Sequence, residues 1–281
     1  MNKIKIGIIG VGFVGNAVYS FYKKNKINVI RLDLDKNKAD FDNLDLFLNE
    51  NPDYIFICVP TPQKLNDCDF SIVKNICLDI EEISKINNVS YNIIIKSTVS
   101  PIFLSELKKS ITNCFLITSP EFLTQRTANE NFENSQLFIW GCENNDILDK
   151  TINDLCWSVN FPQLKKVYRF NDIEMPMKFK YAHNVMGALN VLISNVMFDY
   201  INDNDIYKNN FKEFLVLTEH FTDTYLTVPG YDDKRGFGGA CFPKDLNSFI
   251  YQINNNLNIT KEEIKFIESA QKLNNKLRNE K

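Results

Sequence analysis

The segment KIGIIGVGFVGNAVYSFY, residues 5–22, constrains the fold more than any other stretch of the chain. It places Gly10, Gly12 and Gly15 as G-x-G-x-x-G between a short apolar run and an amphipathic one, in the order strand, tight turn, helix. Gly10 permits the turn, Gly12 lets a pyrophosphate approach the backbone, and Gly15 lets the helix pack on the strand. The helix then opens at Phe13 and Val14 with its amides facing the phosphates. A glycine turn without a ligand would look the same by itself. The next apolar run, NVIRLDLD, adds a second signal by ending at Asp33, where a carboxylate that binds a ribose hydroxyl is expected. An acid there repels a 2'-phosphate, so the expected dinucleotide is NAD. Arg31, two residues earlier, leaves NADP open.

Beyond the turn, short apolar runs alternate with amphipathic ones, the pattern of βαβ units and a parallel sheet. Strands are expected at Lys3 to Ile9, Asn28 to Leu32, Tyr54 to Val59, Asn92 to Ser97, Phe115 to Ser119 and Leu137 to Trp140. Helices are expected after Gly12, at Leu44 to Asn49, Ser71 to Ile86, Ile102 to Lys109 and Asp146 to Ser158. After about Phe170 the pattern changes to long helical runs, Met177 to Tyr200 and Asn210 to Leu226, then a glycine-rich segment and a last helix from Lys261. The expected fold is α/β: a doubly wound parallel sheet of the Rossmann type over residues 1–170, then a mostly helical domain over 171–281 built around one long helix. That helix is apolar on more than one face, so a homodimer packed along residues 177–200 is expected.

Bulk properties narrow the chemistry. Basic and acidic side chains number 32 and 35 in 281 residues, which gives no general attraction to nucleic acid. The seven cysteines are odd in number and never C-x-x-C, and there are two histidines, so neither a disulfide framework nor a metal site is expected. No apolar run reaches membrane-spanning length, and MNKIKIGIIGVG reads as the first strand and turn instead of a secretory signal. A soluble, reducing, cytoplasmic setting is the expectation.

Polar and reactive groups recur where strands should end. VPTP (Val59 to Pro62), KSTVSP (Lys96 to Pro101) and SPEF (Ser119 to Phe122) each follow an expected parallel strand, so Thr61, Thr98 and Glu121 belong at the carboxyl edge of the sheet, where such sheets bind ligands. Lys180 and Asn184 lie four apart on the long helix and share a face, with the small residues of GALN following. An ordinary solvated stripe would have the same spacing. Cys241 sits in GFGGACFPKD, with glycines before it and Lys244 and Asp245 within a turn after it, a setting in which a thiol can become a nucleophilic thiolate. The other six cysteines read as small buried hydrophobes.

Together GVGFVG, Asp33, VPTP with Asp69-Phe70-Ser71 downstream, IKSTVSP, SPEF, Lys180 with Asn184, and GFGGACFPKD resemble the UDP-glucose and GDP-mannose dehydrogenase family, in family order over nearly the whole chain. The resemblance implies NAD-dependent, four-electron oxidation of a nucleotide-sugar C6 alcohol through a thiohemiacetal and thioester on Cys241. It implies that Lys180 and Asn184 stabilise the oxyanion, that Asp245 with Thr98 positions water or accepts a proton, and that Glu121 assists thioester hydrolysis. Cofactor contacts carried over are Gly10, Gly12, Phe13, Val14, Gly15, Asp33, Lys38, Thr61, Thr98 and Lys244. Substrate contacts carried over are Glu121, Gln125, Lys180, Asn184 and Gly238.

The match departs from the family in places. Gln125 stands for an acid and Arg126 for a glycine, and the stretches from Asp33 to Tyr54 and before Cys241 are short. The sequence ends at Lys281, where the family's third, nucleotide-holding domain would begin, so a compact form is expected in which Arg126 or Arg235 binds phosphate. A two-electron hydroxyacid-type dehydrogenase and a catalytically inactive binding module remain as alternatives.

Overall fold

The computed structural model describes residues 4–64, 67–218, 225–254 and 256–278. The chain divides into two compact units. The first is residues 1–62 with 69–180, and the second is residues 63–68 with 181–281. The division after Lys180 falls ten residues beyond the boundary read from the sequence, inside the long helix, and a short hairpin leaves the first unit for the second.

The first unit is built on a seven-stranded sheet of order β2-β1-β3-β6-β7-β8-β9. Its strands are β1 (Lys5–Ile9), β2 (Asn28–Leu32), β3 (Tyr54–Ile57), β6 (Asn92–Ile95), β7 (Phe115–Thr118), β8 (Leu137–Gly141) and β9 (Lys166–Phe170). The strands from β2 to β7 are mutually parallel, with Ile8 opposite Arg31 and Phe56, and Ile57 opposite Ile95. β8 runs antiparallel to β7, and β9 parallel to β8. YIFI and most of NIII and FLIT are buried because helices cover both faces, and such strands are continuous apolar runs with no alternation. β9 was not legible: KVYRF carries Lys166 and Arg169 and is exposed or half-buried along its length, as suits an edge strand.

The helices of this unit are α1 (Phe13–Lys24), α2 (Leu44–Asn49), α3 (Ser71–Asn87), α4 (Pro101–Leu107), α5 (Ala128–Glu133) and α6 (Asn145–Ile152), which runs on as a π turn over Asn153–Trp157. α1 buries Ala17, Val18, Phe21 and Tyr22 at helical spacing. Phe21 stacks on Phe161 at 4.0 Å between centroids, and Phe132 and Phe138 meet Phe161 edge-on. Ser100 caps α4 and Pro101 occupies its first turn, which starts the helix directly after the Thr98 segment.

Glu81, buried on α3, fastens the turn before β7. One carboxylate oxygen accepts from the Thr112 and Asn113 amides at 2.8 and 2.9 Å, and the other from the Cys114 amide at 3.0 Å, with Lys85 at 2.8 Å. Burial opposes its ionisation, but Lys85 and the three amides outweigh burial and hold the carboxyl down to about 2.

The second unit holds the hairpin β4 (Gln63–Lys64) and β5 (Asp67–Cys68) and the part of α7 (Met175–Ile201) from Tyr181 onward. It continues with α8 (Asn204–Ile206), a π turn at Tyr207–Phe211, α9 (Lys212–Leu217), α10 (Phe242–Asn254) and α11 (Lys261–Leu277). Of the helix expected over Asn210 to Leu226, residues 219–224 lie outside the described residues. α10, which starts inside the Cys241 motif, was not expected. Its core gathers Val185, Ala188 and Leu192 of α7 with Phe237 and Leu246. α11 begins with a capping box of Thr260 and Glu263.

Glu81→Gln leaves a single oxygen to accept and turns an NH2 toward a backbone N–H donor, and it should lower unfolding free energy at pH 7 by about 2 kcal/mol. Because the folded pKa of Glu81 lies below its unfolded value, the difference between wild type and variant is full above about pH 5 and shrinks as pH falls through the folded pKa toward about 2. Urea unfolding across that range checks it; a pH-independent difference would contradict the assignment.

Candidate active site

In the first unit the sheet's carboxyl edge collects the expected residues. Gly10 has a φ of +88°, and its amide donates to Leu32 O at 2.9 Å. A Cβ on Gly15 would lie 2.0 Å from Gly10 O, so only glycine lets α1 start this close to β1. A Cβ on Gly12 would meet nothing within 4 Å, so this stretch of backbone is open to a ligand. Phe13 and Val14 pack their side chains against the core at the start of α1. Asp33 accepts from the amides of Val11 at 2.5 Å and Asp35 at 2.8 Å, which ties the end of β2 to the glycine turn. An open turn, a helix N-terminus and a held carboxylate fit a dinucleotide. Lys38 is exposed and pairs with Asp35 at 3.3 Å.

Arg31 is engaged by neighbours of its own unit. Its Nε and Nη2 donate to Asp40 at 3.1 and 2.9 Å, and its guanidinium lies 4.4 Å from the Tyr19 ring centroid. The bond to Asp40 raises the Arg31 pKa and, in return, lowers that of Asp40. Asp40 therefore competes with any 2'-phosphate for this guanidinium.

Thr61 and Thr98 are brought together: Thr61 Oγ1 donates to Thr98 O at 3.0 Å. Glu121 and Lys180 are both buried and form an ion pair at 3.4 Å, and Lys180 Nζ also lies 5.3 Å from the Phe122 ring centroid. The other Glu121 oxygen accepts from the Leu123 amide. Gln125 and Arg126 are exposed on a short turn after SPEF. Lys96 was assigned no role from the sequence, yet it is 2% exposed and its Nζ donates to Ser119 O at 2.8 Å, one residue before Pro120 and Glu121. Burial pulls its amine down to about 8, against the pull of Cys58 and Glu121. A lysine ending the apolar run NIII was the available signal.

The second unit holds the other set. Asn184 is buried, so the reading of its helix face as a solvated stripe fails. Its Nδ2 donates to Asp245 Oδ2 at 2.5 Å, and its Oδ1 meets His183 Nδ1 at 3.0 Å. Asp245, 1% exposed, also accepts from Lys244 Nζ at 2.6 Å. Lys244 reaches Cys68 Sγ at 3.8 Å, and Asp67 accepts from Ser248 Oγ at 2.5 Å, so the hairpin is fastened to α10. Burial would lower the Lys244 pKa, but Asp245 and then Cys68 reverse this and leave it raised. Asp67, Cys68 and Ser248 were missed because nothing near them in the sequence marks what they touch.

Cys241 directly precedes α10 and is half-buried, whereas the other six cysteines are buried. The N-terminal end of a helix is a position where the dipole favours a thiolate. The GALN residues do permit a close approach: Gly187 is met by the rings of Phe242 and Tyr225. Gly238 lies against the Arg278 guanidinium. Arg235, a candidate phosphate ligand, instead donates to Asn195 and Asp199. Among the described residues no cluster of three or more His, Cys, Asp or Glu could hold a metal ion, and no helix is long and apolar enough to cross a membrane.

Two family models match the chain. The NAD binding domain of the UDP-glucose/GDP-mannose dehydrogenase family matches residues 48–156, and the central domain of that family matches residues 177–276. The first range contains Thr61, Thr98 and Glu121, and the second contains Lys180, Asn184, Cys241, Lys244 and Asp245.

The chain belongs to the UDP-glucose/GDP-mannose dehydrogenase family.

The family is one of NAD-dependent nucleotide-sugar dehydrogenases, and NAD is its dinucleotide. The chain is 27% identical over 292 residues to the UDP-glucose 6-dehydrogenase of Campylobacter jejuni, covering 90% of this chain and 70% of that one. It is 24% identical to the GDP-mannose 6-dehydrogenase of Pseudomonas aeruginosa, covering 89% of this chain and 64% of the relative. The fold is similar to that of a UDP-glucose dehydrogenase from Pyrobaculum islandicum, with a TM-score of 0.72 at 18% identity over 96% of this chain and 68% of that one.

Asp33→Asn removes the charge expected from the sequence to meet the ribose hydroxyls and turns an NH2 toward one of the two amides that Asp33 accepts from. NAD should bind about tenfold more weakly by calorimetry, with discrimination against NADP reduced. Unchanged affinity for both would remove Asp33 from the cofactor site.

Proposed function

We propose that the protein oxidises the C6 alcohol of a nucleotide sugar to the uronic acid, of the UDP-glucose to UDP-glucuronate type, with Cys241 as covalent nucleophile. The observation that carries this is the position of Cys241 at the head of α10, three and four residues before Lys244 and Asp245, with Asp245 bonded to both Lys244 and Asn184. Gly10, Gly12, Phe13, Val14, Gly15, Asp33, Lys38, Thr61, Thr98 and Lys244 are the residues proposed to hold NAD. When bound, NAD accepts a hydride from the sugar C6 in each of two oxidations.

The chain's own groups do the rest. The C6 hydroxyl loses its proton as the aldehyde forms, and Lys180 with Asn184 steadies the charge that develops on its oxygen. Asp245 and Thr98 receive or relay that proton through positioned water. The Cys241 thiolate then adds to the aldehyde carbon to give a thiohemiacetal, whose oxidation leaves a thioester. Glu121 guides water onto the thioester carbonyl, the C–S bond breaks, and the carboxylate leaves with the thiol restored. The balance is one alcohol, two NAD and one water in, and one carboxylate, two NADH and three protons out. Glu121, Gln125, Lys180, Asn184 and Gly238 are the proposed substrate contacts.

A homodimer along α7 is part of the proposal. Phe179, Met186, Ile193 and Tyr200 are exposed at seven-residue spacing on that helix, with Val196 beside them, an apolar seam suited to a second copy. Ile193→Glu with Met186→Glu should convert a dimer to a monomer in light scattering at micromolar concentration. A wild type that is already monomeric there would overturn this part.

The activity is tested with a panel of UDP- and GDP-sugars and NAD, read by NADH absorbance. Two NADH per sugar are expected, and Cys241→Ser should abolish acid formation, a loss of at least about 10³-fold. One NADH per substrate would favour a two-electron hydroxyacid-type reaction instead. Undiminished acid from Cys241→Ser would end the covalent mechanism, and no NAD binding at all would favour an inactive binding module.

A further inference from the structure

The segment that leads into Cys241, residues 235–240, forms neither helix nor strand, yet its backbone is held on both sides by side chains from two helices. From α7, Asn195 Oδ1 accepts from the Gly236 amide and from Arg235 Nε, each at 3.1 Å. From α11, Asn274 uses both ends of its amide on one residue: the Phe237 amide donates to its Oδ1 at 2.7 Å, and its Nδ2 donates to Phe237 O at 3.1 Å. Asn195 and Asn274 are 1% and 3% exposed. Gly236 has a φ of +72°, and a Cβ on it would lie 2.5 Å from Asn274 Oδ1, so the segment accepts this side chain only as glycine. The Phe237 side chain is buried in the core between α7 and α10.

A side-chain amide that satisfies both the N–H and the C=O of one residue acts on it as a neighbouring strand would, fixing its position and its orientation. Phe237 is four residues from Cys241. We propose that Asn274 is a positioning residue for Cys241, setting through Phe237 where the thiol stands at the head of α10. This deepens the proposed function and rests on its reading of Cys241 as nucleophile. No described bond of Asn274 involves the glycine turn or Asp33, so NAD binding should not depend on Asn274, while thioester formation, which needs the Cys241 thiol in place, should depend on it most.

The test uses the full chain as wild type, Asn274→Ala and Asn274→Asp. Each is treated with iodoacetamide, whose iodide the thiolate displaces, and the rate at every cysteine is read by mass spectrometry of peptides. The six buried cysteines serve as an internal report on global loosening. In Asn274→Ala, Cys241 should react at least about fivefold more slowly while the other six stay unreactive. Asn274→Asp keeps an acceptor for the Phe237 amide but, as a carboxylate, has no donor for Phe237 O, so its Cys241 rate should fall between those of wild type and Asn274→Ala. With hydroxylamine present to capture aldehyde, NADH per sugar should fall from two toward one in Asn274→Ala, with KM for NAD unchanged.

A Cys241 rate in Asn274→Ala within about twofold of wild type overturns the proposal. Faster reaction of all seven cysteines together also overturns it, since Asn274 would then be holding only the fold. A wild type that makes one NADH per sugar, or none, overturns the proposed function and is separate from the alkylation result, which needs no substrate.

Discussion

A carboxylate buried as completely as that of Asp245, 1% exposed, is costly unless charged or polar donors meet it. Asp245 is met by two, Asn184 Nδ2 at 2.5 Å and Lys244 Nζ at 2.6 Å, and removing either would leave a buried charge short of partners at a cost of about 3–5 kcal/mol. That requirement orders much of the second unit. Asn184 must come from α7 and Lys244 from the first turn of α10, so the two helices hold a fixed relation. The thiol of Cys241, covalently just ahead of that turn, is carried with them. The hairpin that supplies Cys68 to Lys244 and Asp67 to Ser248 closes the same cluster from a third side. The first unit repeats the theme at Glu81, met by Lys85 and three amides, and at Glu121, paired with Lys180 at 3.4 Å out of solvent.

The sheet was readable because parallel strands covered on both faces must be apolar at every position. The expected starts at Asn28, Tyr54, Asn92, Phe115 and Leu137 are the observed ones. The ends differ by one or two residues where the chain passes the last ladder partner: β3, β6 and β7 stop at Ile57, Ile95 and Thr118, and the residues just beyond begin the segments that carry Thr61, Thr98 and Glu121. What escaped was whatever lacks a period of its own. β9 alternates weakly, the hairpin strands are two residues each, and α10 starts among glycines and a proline that read as loop.

The site divides in the same way. Residue types at motif spacing singled out Asp33, Thr61, Thr98, Glu121, Lys180, Asn184, Cys241, Lys244 and Asp245; the structure joins Thr61 to Thr98, Glu121 to Lys180, and Asp245 to Asn184 and Lys244, with Cys241 directly ahead of the helix that carries the last two. Their supports were not legible. Lys96 acts on Ser119, Asn274 on Phe237 and Asn195 on Gly236, pairs separated by 23, 37 and 41 residues, and no local pattern announces such a bond. Arg31 and Arg235 show the converse. Each looked available to a phosphate from its position in the sequence, and each guanidinium is bound to a carboxylate of its own unit, Asp40 and Asp199 respectively.

The central claim is the covalent role of Cys241, and the most direct measurement is the mass of the enzyme caught during turnover. With Glu121→Gln slowing hydrolysis, acid quenching and peptide mass spectrometry should find the uronyl adduct on Cys241 alone, lost on mild hydroxylamine treatment as a thioester is. Steady production of two NADH per sugar with no adduct on Cys241, or with one on a different residue, would contradict the account.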